Sequence, residues 1–425
     1  MITKDNFINY FRSGIKETND CGIGIEHEKF VFLENKRADY QSILNLFEKL
    51  YEFGWEPVKE GINIIALKKG NKNITLEPGN QIELSGEKLK SIHQTCGESQ
   101  EYIFELNQSL KKLNLNLISS GFDPISKIEE VPSNPKNRYE LMTKIMPLFG
   151  KLSLDMMYRT CGTQVNIDYT SEKDFSKKFF VVNRLVPITI ALFANSGIVE
   201  KNKSGYLSYR SYAWQNTYRG GLPKIFLENM DFEKYADFSL NYPMLFLKRN
   251  DKYIDAKNKT FQNFIDGDIE KASPNEEDVA DHLSTIFTEN RLKKYIEIRS
   301  MDACGWDCLC AGPAFFIGLL YGNLDEVFDV VKRWNLDEII SAYKDSPKKG
   351  LKTILGKKSI LDWSKDLFEI SKQGLENRNE LNSKKQNEVK FLDHIKTIID
   401  TNSTNAEAIM AQYQKDKNFF NINEK

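Results

Sequence analysis

Four short stretches of the chain place acidic and amide side chains two residues apart. GIEHEKF carries Glu26 and Glu28. NITLEPGNQIELS carries Glu77 and Glu83 on either side of a Pro-Gly turn, with Gln81 sharing a face with Glu83. RTCGTQVNID carries Gln164 and Asn166, and KYIEIRSMD carries Glu297 and Arg299. Alternate residues of a β-strand point to one side, so each pair offers its polar atoms to a single face. Carboxylates gathered in this way repel one another and stay ionised only beside cations. Mg²⁺, a hard ion that prefers oxygen ligands, suits that task. Two or more such ions, with arginines beside them, have the charge to bind triphosphate oxygens. The wet face of an antiparallel sheet gives the same spacing in any single strand. Four such strands in one chain favour the clustered reading.

Other reactive side chains carry less. His27 lies between the two glutamates and so points to the opposite face, as a packing or hydrogen-bonding residue. His93, His282 and His394 are isolated. CGWDCLC holds Cys304, Cys308 and Cys310 but lacks the paired CxxC units and fourth ligand of a structural zinc site. These read as partly buried thiols, with a redox-sensitive pair as the alternative. The lysine-rich runs KNRYELMTK and KDSPKKGLKTILGKKS read as solvated surface. No G-x-x-x-x-G-K-[ST] run is present, so a P-loop enzyme is a poor fit.

The polar pairs need strands to hold them. CGIGIEHEKFVFL (21–33) is β-rich, SILNLFEKLYEF (42–53) is helical, and the segments around NIIALKKG and NITLEPGNQIELSG read as a hairpin. Apolar spacing predicts a helix from Glu87 to Leu113, then a strand at LNLISSGFDP. Helices and strands alternate through YELMTKIMPLFGKLSLDMM, YRTCGTQVNIDY and a helix from Glu172. RLKKYIEIRSMD (291–302) reads as one strand, and helices run from AGPAFFIGLLYG to the end. No linker, repeat or composition change divides the chain. The expectation is a single α+β domain over residues 1–425, mainly helical from about 325.

Composition sets outer limits. The 425 residues carry 59 Lys+Arg against 60 Asp+Glu, a net charge of −1, without the basic excess that broad nucleic-acid binding leaves. At 40% hydrophobic and 12% aromatic the chain is too apolar to be disordered. No stretch has the roughly 20 apolar residues of a membrane helix. The N-terminal MITKDNFINYF lacks the apolar core of a secretory signal. Six unevenly spaced cysteines do not resemble a disulfide framework. A soluble, cytoplasmic protein with no membrane or nucleic-acid partner is expected.

Together GIEHEKF, ITLEPGNQIELSG, YRTCGTQVNIDY, STIFTENRLKKYIEIRSMD and DLFEISKQGLENR resemble the glutamate–cysteine ligases of the plant and proteobacterial type. The resemblance runs from about Gly22 to the final helices. It implies a glutamine-synthetase-like fold, α+β, whose mainly antiparallel curved sheet carries the site between flanking helices. It also implies ATP-dependent joining of the glutamate γ-carboxylate to the cysteine amine through γ-glutamyl phosphate, the first step toward glutathione. Two or three Mg²⁺ ions would take part, with L-glutamate, L-cysteine and ATP as substrates, in a monomer or homodimer.

Carried over by motif, Glu26, Glu28, Glu77, Glu83, Gln164 and Glu297 are the metal ligands. Asn166 stands beside nucleotide or phosphate. Arg299 meets the transferred phosphoryl group, and Arg159 is placed for a substrate carboxylate or phosphate. SYRSYAWQNTYRGG resembles a family segment that supplies Arg210 and Trp214 to substrate and Arg219 to catalysis. The family's Thr-Asp-Pro-x-Arg run is shortened here to Thr217-Tyr218-Arg219. That departure keeps two alternatives open: a related ligase that joins glutamate to a different amine, and a non-catalytic nucleotide-binding relative.

Overall fold

The computed structural model describes residues 2–250, 252–269, 272–416 and 419–420. Ten strands build one sheet. They are β1 (Ile23–Leu33), β2 (Lys36–Arg37), β3 (Glu56–Glu60), β4 (Asn63–Lys69), β5 (Lys72–Leu76), β6 (Ile82–Ser85), β7 (Leu115–Ile118), β8 (Gly162–Ile167), β9 (Asn290–Leu292) and β10 (Ile296–Asp302). The order across the sheet is β9-β10-β8-β1-β6-β5-β4-β3, with β2 and β7 on the far end of β1. Every pairing is antiparallel. The chain therefore adopts the α+β class expected of it, with an antiparallel sheet at its centre.

The sequence of β1 explains its central place. Ile23, Ile25 and His27 are buried on one face, while Gly24, Glu26 and Glu28 alternate onto the other. Behind the apolar face lie Val165 and Ile167 of β8 and Ile296 and Ile298 of β10. They share one core with helices α3 (Glu172–Arg184), α4 (Val186–Leu192), α6 (Ala311–Ile317) and α7 (Ile360–Arg378). Each fully buried aliphatic or aromatic side chain there contributes about 1.5–3 kcal/mol. A second core sets Leu67, Ile74, Leu76, Ile82 and Leu84 against α1 (Tyr40–Leu50) and α2 (Ile92–Lys111). With helices holding one face, the polar face is left for chemistry.

In the helical C-terminal part, Gly374 of α7 lies directly against Gly318 and Gly322. A Cβ on any of these three would run into the opposing backbone. Glycine is costly inside a helix, and here it permits the close approach. Among the described residues no single helix is long and apolar enough to cross a membrane.

Some elements differ from expectation for local reasons. The helix predicted from Glu87 starts at Ile92, because Ser91 caps it and Gln94 closes a capping box. The single strand predicted over 291–302 is a hairpin, β9 and β10, turning at Lys293 without Gly or Pro. Of the cysteines of CGWDCLC, Cys304 and Cys308 stand as a pair, the alternative given for them, and Cys310 pairs with Cys96 instead of remaining a thiol.

Candidate active site

Strand register assembles the site. Glu28 of β1 stands opposite Glu83 of β6, and Glu26 opposite Gln164 of β8 on one side and Ser85 of β6 on the other. Asn166 of β8 lies between Gly24 of β1 and Glu297 of β10. A Cβ on Gly24 would stand 3.2 Å from that of Asn166, so glycine gives the amide room to lean over Glu26. Asn166 Nδ2 donates to Glu26 Oε1 at 2.7 Å. The Gly162 amide donates to Glu28 Oε2 at 2.6 Å, and Gln164 Nε2 to Glu28 Oε1 at 3.4 Å. Glu83 accepts from Thr75 and Ser85, and Glu77 from the Tyr139 hydroxyl. All these carboxylates line one cavity of about 530 Å³, together with Arg138, Arg291, Lys293 and Arg299.

The charge on this wall is divided. Glu297, almost wholly buried, receives Arg291 Nε at 2.5 Å, Arg299 at 3.0 Å and Lys293 at 3.2 Å. Burial alone would raise its pKa, but these three cations hold the carboxyl well below the usual range. Glu26, Glu28 and Glu83 have no such shell. Burial, then repulsion from Glu77, pushes Glu28 up to about 7. Burial, then Glu26, Glu77 and Glu28, raises Glu83 well above its ordinary value. Burial and Glu297 raise Glu26 as well.

This half of the cavity asks for cations, and its donors fit Mg²⁺. They are hard carboxylate oxygens, with the buried Oδ1 of Asn166 aimed nowhere else in the protein. Among the described residues no three acidic, histidine or cysteine side chains already converge on one ion position.

Arg299 sits in a bulge, where β10 slips against β8 between Ile298 and Met301. Bulges re-aim side chains beside active sites. Here the guanidinium donates to Gln164 Oε1 at 2.8 Å and Glu297 at 3.0 Å, and lies 5.3 Å from the Trp214 ring. Trp214 and Arg210 come from helix α5 (Tyr209–Gln215). Arg210 also faces the Trp214 ring, and its guanidinium donates to the Arg299 carbonyl at 2.8 Å. Trp214 lines a narrower annex of about 100 Å³ beside Glu28, Glu77 and Arg299.

Two expected side chains point elsewhere, and a third side chain takes a different face. Arg159 is held by Asp155 at 2.9 Å and Glu200 at 3.0 Å, away from the cavity wall. Arg219 turns to Thr285, donating to its carbonyl at 3.0 Å from a backbone with φ of 71°. Gln81 lines the annex wall rather than the main cavity with Glu83. Its Nε2 donates to the Met157 and Thr160 carbonyls at 3.1 Å, while its Oε1 accepts the Gly79 amide at 2.8 Å and braces the Pro-Gly turn.

Arg138, Arg291 and Lys293 were not singled out from the sequence. The run KNRYELMTK, expected at the surface, buries Lys136, which donates to the Leu76 carbonyl, and puts Arg138 on the cavity wall, where it donates to the Tyr139 hydroxyl. Arg291 escapes notice because its pairing with Glu297 exists only once the hairpin does.

With this geometry in view, comparison with known proteins is decisive. The sequence profile of glutamate-cysteine ligase family 2 matches residues 22–421. The chain belongs to the glutamate–cysteine ligase family. It is accordingly an enzyme, a ligase. Within the family it is 38% identical over 423 residues to the chloroplastic glutamate–cysteine ligase of Solanum lycopersicum, covering 97% of this chain and 80% of that one. The chloroplastic ligase of Brassica juncea is 39% identical over 423 residues, covering 97% and 81%. Glutamate–cysteine ligase A of Oryza sativa subsp. indica is 38% identical over 424 residues, covering 97% and 85%. Among solved structures, the complex of the prokaryotic ubiquitin-like protein Pup with its ligase PafA aligns over 94% of this chain and 70% of that one. The TM-score is 0.41 and the identity 11%.

Proposed function

We propose that the chain joins the γ-carboxylate of L-glutamate to the amine of L-cysteine, using ATP and Mg²⁺ and passing through γ-glutamyl phosphate. Family membership supports this reading. The observation that carries it is the divided wall: Glu26, Glu28, Glu77 and Glu83 short of cations, facing Arg291, Lys293 and Arg299 gathered on Glu297.

Glu26, Glu28, Glu77 and Glu83, with the free Asn166 oxygen and Gln164 beside them, would hold the Mg²⁺ ions, two or three in number. The ions would neutralise triphosphate charge where the glutamate carboxylate must approach. Glu297 already serves three side-chain cations and so suits the counter-ion of Arg299 better than a metal ligand. In the first step a γ-carboxylate oxygen bonds to the γ-phosphorus and the bond to ADP breaks. Arg299 offers its planar fork to the transferred phosphoryl oxygens. In the second step the cysteine nitrogen bonds to the activated carbonyl carbon, the carbon–oxygen bond to the phosphoryl group breaks, and the phosphate departs with the proton the nitrogen gives up. Arg210 and Trp214 orient the glutamate.

The shortened turn at Thr217–Arg219 favours one second reading, the same activation of glutamate with a different amine as acceptor. Both readings are tested by ADP release from purified protein with Mg-ATP and L-glutamate, adding cysteine and then a panel of amines. Release that requires glutamate and cysteine, with γ-glutamylcysteine as product, supports the first. Release with another amine alone supports the second, and none with any amine overturns both.

A further inference from the structure

Asp302 closes strand β10 three residues beyond Arg299 and is 2% exposed. Its partners are neutral donors from two other segments. The Asn195 amide reaches Oδ2 at 2.8 Å, the Ser196 hydroxyl Oδ2 at 2.6 Å and the Ser208 hydroxyl Oδ1 at 2.8 Å. Both serines are buried, and Gly121 packs so closely on the carboxylate that a side chain there would collide with it.

Each hydroxyl has one proton. With that proton given to Asp302, its oxygen is left as an acceptor, and both oxygens are used at the start of α5. Ser196 Oγ accepts the Arg210 amide at 3.1 Å and Ser208 Oγ the Ser211 amide at 3.1 Å. The carboxylate thus sets the polarity of two relays that anchor the helix bearing Arg210 and Trp214. Arg210 then returns to strand β10 at the Arg299 carbonyl, and the Trp214 ring lies 5.3 Å from both guanidinium groups. The circuit starts and ends on the strand that carries Arg299.

We propose that Asp302 is a positioning residue for the ligation, holding Arg210 and Trp214, and through them the Arg299 fork, by way of Ser196 and Ser208. The proposal rests on the functional reading above. An asparagine at 302 keeps the shape but presents an NH₂ group where one of three donors now arrives, so at least one relay must reverse.

The test compares wild type with Asp302→Asn, Ser196→Ala, Ser208→Ala and Ser208→Thr. Two quantities are read: steady-state ADP release, and acrylamide quenching of the Trp214 emission, taken as the difference from Trp214→Phe. Asp302→Asn is expected to lower kcat on the order of 10–100-fold, the scale of an ångström-sized misplacement, with KM for ATP within about threefold of wild type. Trp214, 5% exposed in the native protein, is expected to become more quenchable. The alanine variants follow in the same direction, and Ser208→Thr, which restores the hydroxyl, recovers wild-type behaviour.

If Asp302→Asn does not fold, the serine variants carry the same test. Reduced thermal stability with kcat and quenching both within twofold of wild type overturns the proposal, as does a lower kcat with Trp214 still shielded. Wild-type protein that turns over no acid and amine pair overturns the ligase reading instead. The positioning proposal is then decided by the quenching alone.

Discussion

Arg291 Nε stands 2.5 Å from Glu297 Oε2 across the β9–β10 hairpin, and both side chains are nearly excluded from water. A buried pair of this kind is costly to break, because the surviving charge has no solvent to turn to. Glu297→Gln leaves Arg291, Lys293 and Arg299 uncompensated and is expected to cost about 3–5 kcal/mol of stability as well as turnover. Glu83→Gln removes a carboxyl whose charged form burial disfavours, so it is expected to abolish turnover with no loss of metal-free stability. Urea melts of the two variants decide the point. Equal destabilisation by both would contradict the division of charge described above.

Arg299→Lys tests the fork. The guanidinium serves Gln164, Glu297 and the Trp214 face together, and an ammonium is a single point charge. The expected fall in kcat is at least about 100-fold, comparable with the loss of one preorganised electrostatic contact. Activity within tenfold of wild type would remove Arg299 from the transferred phosphoryl group.

Cation binding is expected to release protons. Burial and Glu77 raise Glu28 to about 7, so near neutral pH that carboxyl is partly protonated until a cation takes the proton's place. Mg²⁺ affinity should therefore rise between pH 6 and 8, and calorimetry in buffers of different ionisation heat should report protons leaving at pH 7. Glu28→Gln should reduce that number. A titration with no proton release places Mg²⁺ elsewhere.

His282 supplies a pH signature remote from the glutamates. Burial, then the nearby Arg219, lowers its pKa to about 3, with its ring held at the Ser239 carbonyl. The folded state resists protonation that the unfolded chain accepts near 6.5, so stability is fully present above 6.5 and declines as pH falls toward 3. The slope from this residue is at most about 1.4 kcal/mol per pH unit. His282→Gln should show a shallower decline between pH 6.5 and 5 in denaturant melts.

Much of the frame was legible because it rests on local pattern. The period-two alternation of Ile23, Ile25 and His27 against Gly24, Glu26 and Glu28 specifies both strand and face before any partner is known. The apolar spacing of α2 is likewise local, though the helix starts at the Ser91 cap rather than at Glu87. What escaped depends on long-range pairing. Gln81 shares the parity of Glu83, yet the carbonyls of Met157 and Thr160, far along the chain, draw its amide to them. Lys136 lies in a charged run and is buried because the Leu76 carbonyl, 60 residues away, receives it. Arg159 has the chemistry of a substrate residue, and its partners Asp155 and Glu200 decide otherwise.

Strand register also governs when the site comes into being. Gln164 and Glu28 meet across neighbouring strands although 136 residues separate them in the chain, and Asn166 and Glu26 are 140 apart. Contacts so distant in sequence need large loops to close first and are therefore slow to form. A newly made chain can complete its second core, largely from residues 31 to 115, while β1 still lacks one neighbour. Only when β8 docks do the glutamates gain their amide partners, and the cavity is complete only when the β9–β10 hairpin then pairs with β8 and brings Arg291, Lys293, Glu297 and Arg299 to the wall. Partly folded molecules thus carry the crowded carboxylates of β1 and β6 without the amides and cations that face them, and binding competence ripens together with the last strand.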